Sequence, residues 1–264
     1  MFKKIKEFYI QTNKKSLTCY VVLRLLVIAC MVLQIFHRNY DNVFMCILTL
    51  ALFTIPYFVN RKLKIELPGM LEIIILLFIF SAEILGEIQN FYGIFKSWDT
   101  ILHTINGFLC AAVGFSLIDI LNRTDKIHMN LSPKFVALVA FCFSMTIGIL
   151  WEFYEFTGDY FLNMDMQKDR LVKSISTVYL NEEGKNEPVV VKNIDKVVIY
   201  SNNNGNISEN VINGGYLDIG IIDTMKDLLV NFIGAAVFSI IGLLYIKNRD
   251  KYKFAENFIP IRKE

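Results

Sequence analysis

Four short stretches carry the residues that could do chemistry. Glu83 and Glu87 stand four apart, as do Asp99 and His103; Glu152 and Glu155 stand three apart; Asp223, Asp227 and Asn231 form a four-spaced series. Spacings of three and four put side chains on one face of a helix, so each stretch would present a polar patch to its neighbours. One imidazole among carboxylates is a ligand set for Zn²⁺ or Mn²⁺, and an all-oxygen subset suits Mg²⁺ or Ca²⁺. The candidate ligands are Asp99, His103, Glu152, Glu155, Asp223 and Asp227, with Asp227, His103 and Glu152 as the groups for acid/base work. Glu83, Glu87 and Asn231 complete the polar cluster. The Glu-x-x-His spacing of di-iron bundles is absent, so the identity of the metal stays open. Seven carboxylates face few local cations, chiefly His103 and Lys226. They cannot all stay ionised in a low dielectric, and protons or a bound metal must compensate.

The elements that hold these residues are membrane spans. The chain is 54% hydrophobic, and its charge is confined to short stretches between long apolar runs. About 20 mostly apolar residues suffice for a helix to cross the hydrocarbon core, and in lipid the helix must satisfy its own backbone. Six runs qualify, at Leu17–His37, Val43–Val59, Gly69–Asn90, Asp99–Leu121, Pro133–Phe161 and Ile221–Ile246. A globular chain of this length has too little polar surface to wrap so many apolar helices. The expected class is therefore an all-α polytopic membrane protein. Its parts are a basic segment 1–16, five spans within 17–161, a loop 162–220, a sixth span 221–246 and a basic tail 247–264.

Orientation follows from Lys and Arg in the short loops, which mark the cytoplasmic side. The basic N-terminus, the second loop (Arg61, Lys62, Lys64) and the fourth (Arg123, Lys126, Lys134) alternate with loops holding only Arg38 and only Lys96. Both termini are then cytoplasmic, and the loop 162–220 lies outside. All four polar stretches converge on the outer leaflet. Lys3 to Lys15 before an apolar run has the form of a signal-peptide start, but no small-residue cleavage site follows, and an uncleaved first span is expected.

The outer loop is the one candidate extramembrane module. Its β-branched runs Val189–Val191 and Val197–Tyr200 and the turn cluster Asn202–Asn206 predict a small β-hairpin structure. The five cysteines fall inside spans without a C-x-x-C pair and read as apolar packers. No nucleotide-binding or nucleic-acid motif is present, which leaves membrane lipids as the expected partners.

Each ionisable group at mid-membrane costs about 2.5–3.5 kcal/mol on insertion scales, so its retention asks for a reason. Glu87, Asp99, Glu155 and Asp223 could sit at the headgroup level, where that cost vanishes. Glu152, Asp227, His103 and Asn231 lie deeper, where a structural hydrogen bond competes with a chemical role. Arg24 snorkels to the inner surface. Phe91, Tyr92, Trp98, Trp151, Phe153, Tyr154 and Phe156 read as an interfacial aromatic belt, and Gly107, Gly114, Gly234 and Gly242 as points of close helix contact.

The segments WDTILHTINGF from Trp98, LWEFYEF from Leu150 and IDTMKDLLVNFIGA from Ile222 resemble the YjdF-like family of bacterial multi-spanning membrane proteins, over the last four spans. Asp99-x-x-x-His103, a Glu in the fifth span and Asp227-x-x-x-Asn231-x-x-Gly234 also resemble VanZ-like proteins, a family associated with glycopeptide tolerance. Asp165–Arg170 would correspond to the polar segment between the VanZ-like motifs, and the long insertion after it departs from that pattern. The resemblance implies a bacterial cytoplasmic membrane. Three functions fit: a metal-dependent enzyme on an envelope lipid or lipid-linked substrate, a proton- or cation-coupled transporter, or an assembly protein whose acids fasten the bundle. The polar groups sit at one end and no inverted repeat is evident, which weighs against transport.

Overall fold

A computed structural model describes residues 14–63, 65–122 and 131–262. The basic start, from Lys3 to Lys6, and the cluster Arg123 and Lys126 lie outside the described residues. Six helices are long and apolar enough to cross a membrane, spanning Lys14–Phe36, Tyr40–Val59, Gly69–Ile88, Trp98–Asp119, Pro133–Leu162 and Ile221–Lys247. Their outward faces are large apolar side chains such as Leu25, Phe44, Leu138 and Ile240, all more than half exposed, as lipid contact requires. The chain divides into two compact units, residues 1–149 with 227–264, and residues 150–226.

In the first unit, α1 (Lys14–Phe36), α2 (Tyr40–Leu52) and α4 (Gly69–Phe80) close around Tyr20, Leu23, Val27, Cys46, Phe53 and Leu76. The second span is broken: α2 ends at Leu52, Thr54 turns its hydroxyl onto the Ala51 carbonyl at 2.6 Å, and a separate α3 (Ile55–Leu63) carries Pro56 in its first turn. Proline has no N–H to bridge the break but fits a first turn, so the chain restarts a helix there. The third span changes character midway, because α4 passes into an eight-residue π-helix, Ser81–Ile88.

A second cluster packs α6 (Trp98–Asn122), the early part of α7 (Pro133–Leu162) and the late part of α8 (Ile221–Lys247) around Ala111, Phe115, Val136, Ala140, Ala235 and Phe238. Between α4 and α6 runs the short helix α5 (Phe91–Ile94), and Leu67, Leu71 and Leu109 join α4 to α6. Ser132 caps α7 by accepting from the Phe135 amide at 3.3 Å, with Pro133 in the first helical turn.

The basic tail is not a free strand of charge. After α8 it folds back so that Ala255 and Ile259 are buried in the second cluster and the Phe258 ring meets Phe108 edge-on at 5.4 Å. Its last strand, β8 (Ile261–Arg262), pairs antiparallel with β1 (Ile65–Glu66). Arg249 reaches the buried Asp119 at 3.7 Å.

The second unit holds the end of α7, the loop and the start of α8. The loop forms three two-stranded antiparallel sheets, β2 (Leu171–Val172) with β7 (Tyr216–Leu217), β3 (Ser174–Thr177) with β4 (Val189–Lys192), and β5 (Lys196–Asn203) with β6 (Asn206–Asn213). Asn204 and Gly205 both have positive φ, 53° and 90°, and form the two-residue turn that matches the twist of a hairpin. Carboxylates tie the loop to the helices within this unit. Asp159 accepts from the Met166 and Gln167 amides at 2.6 and 2.8 Å, Asp223 from the Lys168 amide at 3.0 Å, and Asp218 from the Ile222 amide of α8 at 3.0 Å. Partial burial, then the neighbouring Asp165, Asp218 and Asp159, push the Asp169 carboxyl above the ordinary aspartate range.

Candidate metal centre

The first turn of α6 is set by its aromatic neighbours. The Trp98 indole N–H donates to the Ser81 carbonyl at 3.3 Å, at the start of the π-helix, and the Phe91 ring meets Trp98 edge-on at 4.9 Å. Asp99 follows in that first turn, where the helix N-terminus favours negative charge. One turn on, His103 is nearly buried, and its Nε2 lies 3.3 Å from Asp99 Oδ1. From α8 comes Asp227, only 2% exposed. One ligand atom from each of Asp99, His103 and Asp227 lies within 4.8 Å of the other two.

What brings Asp227 there is the packing one turn deeper. Asn231, 1% exposed, accepts from Asn106 Nδ2 and donates to the Ser144 carbonyl, both at 3.5 Å, while the Ser144 hydroxyl donates to the Gly107 carbonyl at 2.7 Å. Glycine makes the approach feasible. A Cβ on Gly107 would lie 2.2 Å from the Asn231 carbonyl oxygen, one on Gly148 2.6 Å from Asn231 Nδ2, and one on Gly234 2.0 Å from the Thr104 carbonyl oxygen. Helices α6 and α8 are thereby held backbone to backbone, with α7 joined through the Asn231 and Ser144 side chains, and the register of α8 against α6 is fixed where Asp227 meets the Asp99–His103 pair. The expectation of close helix contact at Gly107 and Gly234 matches this geometry; Gly148 was not singled out in the sequence.

Other candidates are engaged elsewhere. Glu83 and Glu87 lie on the π-helix, half-buried and exposed, outside the trio. The π-helix has wider turns than an α-helix, and four residues still come close to one full turn, so Glu83 and Glu87 share a face as their spacing suggests. In the second unit, Glu152 is buried, and Glu155 accepts from the Trp151 indole N–H at 2.8 Å. Asp223 is spent on the Lys168 amide, on Arg170 Nη2 at 3.4 Å and on Lys226 Nζ at 3.8 Å. Glu155 and Asp223, expected as metal ligands, are not in the trio and have protein donors beside them; Asp223 also holds the loop backbone.

Two buried acids escaped the sequence reading. Asp119 is paired with Arg249, and Glu72, fully buried, sits in the first turn of α4. The signal was one acid within GMLEIIILLFIF, where the expected spacing of a polar pair is missing.

Fold and site together define a polytopic helical membrane protein with an acid–histidine cluster built on its fourth and sixth spans. Residues 19–248 match the family described as predicted membrane protein (DUF2238), and the chain belongs to that family. An uncharacterised protein of Thermotoga maritima is 27% identical over 104 residues, which are 39% of this chain and 52% of the relative. The chain thus spans about half the length of that relative. No solved structure matches.

Proposed function

We propose that Asp99, His103 and Asp227 hold a divalent metal ion, Zn²⁺, Mn²⁺ or Mg²⁺, and that the protein is a metal-dependent enzyme acting on an envelope lipid or lipid-linked substrate at the outer headgroup level of a bacterial cytoplasmic membrane. The supporting observation is the convergence of three ligand atoms within 4.8 Å on two different spans, with His103 and Asp227 nearly excluded from solvent. One imidazole and two carboxylates form a compact N/O set, and three protein ligands leave coordination positions for water and substrate. A bound divalent ion would contribute Lewis acidity and a more acidic water. The protein's own part is to hold the ligands rigidly through the Asn231 and glycine packing below them.

Purified full-length protein should carry divalent metal in near-stoichiometric amount and should melt at a lower temperature after chelation, because a ligand bound only to the folded state stabilises it by mass action. Elemental analysis and a thermal scan measure both. Metal-free protein whose melting is indifferent to chelator would sink this reading.

The orientation proposed from the Lys and Arg pattern puts both termini in the cytoplasm. In a variant lacking the five native cysteines, single cysteines at Ser201 and Asn203, on the exposed hairpin, should react with a membrane-impermeant maleimide in intact cells. One at Lys253 should react only after the cells are opened. Equal labelling of the two classes would refute the orientation.

A further inference from the structure

Glu72 is fully buried, and among the described residues neither of its carboxyl oxygens has a hydrogen-bond partner. Gly69, one turn earlier on the same face, is held against α1 by the Ser16 hydroxyl, which donates to the Gly69 carbonyl at 3.0 Å and so has its proton committed. Ser16 is a polar side chain beside Glu72 within hydrogen-bonding reach, and among the described residues Glu66 on β1 is a charged neighbour. Further along α1, Arg24 donates to the Tyr20 hydroxyl and stacks on the Tyr20 ring. The C-terminal turn Lys253–Asn257 packs against α4, and its Glu256 accepts from the Tyr245 hydroxyl at 3.4 Å. The apolar clusters join α4 to α2 through Cys46 and Phe53 and to α6 through Ile105 and Leu109.

A buried carboxylate with no donor does not persist alone; something positive must accompany it. We propose that Glu72 is a binding site for one small monovalent cation, a proton or an alkali metal ion, reached from the end of the bundle where α1 and α4 begin. Glu72 lies about 5 Å along the helix axis from the start of α4, and Ser16 is the third residue of α1, so the path from that end is short. In a proton-occupied site the acid O–H can donate to the lone pairs of Ser16 Oγ; in an alkali-occupied site the carboxylate and Ser16 Oγ are oxygen ligands. The site belongs to the packing of the first three spans and is independent of the Asp99–His103–Asp227 reading.

The full-length protein in detergent or liposomes, treated with dicyclohexylcarbodiimide, should be modified at Glu72, because the reagent partitions into apolar surroundings and consumes a protonated carboxyl. Mapping by mass spectrometry should show the label lost in Glu72→Gln and retained in Glu66→Gln. Labelling that falls as pH rises, with Na⁺ and K⁺ without effect, identifies the occupant as a proton. Labelling suppressed by Na⁺ or K⁺ at fixed pH identifies an alkali ion. The wild-type melting temperature should follow the same variable, and that dependence should vanish in Glu72→Gln. Absence of label at Glu72 at any pH and salt overturns the proposal on wild-type protein alone, even if Glu72→Gln does not fold. Metal content at Asp99, His103 and Asp227 should be unchanged throughout, so failure here leaves the metal reading standing, and the reverse.

Discussion

Asp227→Asn should abolish function while leaving the protein in the membrane at normal abundance. The substitution is nearly isosteric, so packing around α8 is preserved; what it removes is the negative charge of a side chain only 2% exposed and one oxygen ligand of the proposed site. A metal held by three protein groups loses one-third of its ligand set, and the amide that replaces the carboxylate is a far weaker ligand. Metal content should fall to background, and complementation of a deletion strain, read as susceptibility to wall-active antibiotics, should be lost. His103→Gln should behave alike, since it removes the one nitrogen ligand of the trio. Asp223→Asn is the contrast: its partners are the Lys168 amide, Arg170 and Lys226, so it should retain metal and loosen the loop, detected as faster proteolysis within residues 164–170. Full complementation by both Asp227→Asn and His103→Gln would remove the catalytic reading and leave the acids as fasteners of the bundle.

Gly234→Val should be the most destructive single change outside the site. A Cβ there would stand 2.0 Å from the Thr104 carbonyl oxygen and 2.9 Å from the Phe108 amide nitrogen, both backbone atoms that cannot rotate away. Helices α6 and α8 would have to separate, and overpacking typically costs about 1–3 kcal/mol, more where backbone must move. The Asn231 bonds to Asn106 and Ser144 lie less than one turn away, already at 3.5 Å, and would break with the separation. The expected result is little folded protein in a detergent thermal-stability assay, and loss of metal from whatever folds. Gly242→Ala is gentler, because the atoms it meets belong to the Phe115 ring, which can shift. Equal melting of Gly234→Val and wild type would contradict the backbone-to-backbone contact of the fourth and sixth spans.

The resemblance to YjdF-like proteins led to the class that the family match supports, a predicted membrane protein family, whereas the VanZ-like resemblance has no counterpart among those findings. The six spans were legible because lipid imposes a one-dimensional rule: a run of apolar residues long enough to cross must be helical to satisfy its backbone. The hairpin was legible for a local reason, since Asn204-Gly205 between β-branched runs supplies the positive φ that its turn needs. Spacing also put Asp99 and His103 on one face, because four residues are nearly one turn.

Tertiary structure decided which other residues join them. Asp223 and Asp227 are equivalent by spacing, yet Asp223 meets the Lys168 amide, Arg170 and Lys226 while Asp227 meets the Asp99–His103 pair, where the glycine contacts set the register of α8 against α6. The π-helix that carries Glu83 and Glu87 leaves no mark in periodicity over eight residues. The burial of the tail was hidden for a similar reason. A basic segment reads as solvated by composition, and only the packing shows Ala255 and Ile259 inside and β8 paired with β1. Sequence fixes what a residue can do and which local face it occupies; contact between distant faces depends on close packing, which is a property of three dimensions.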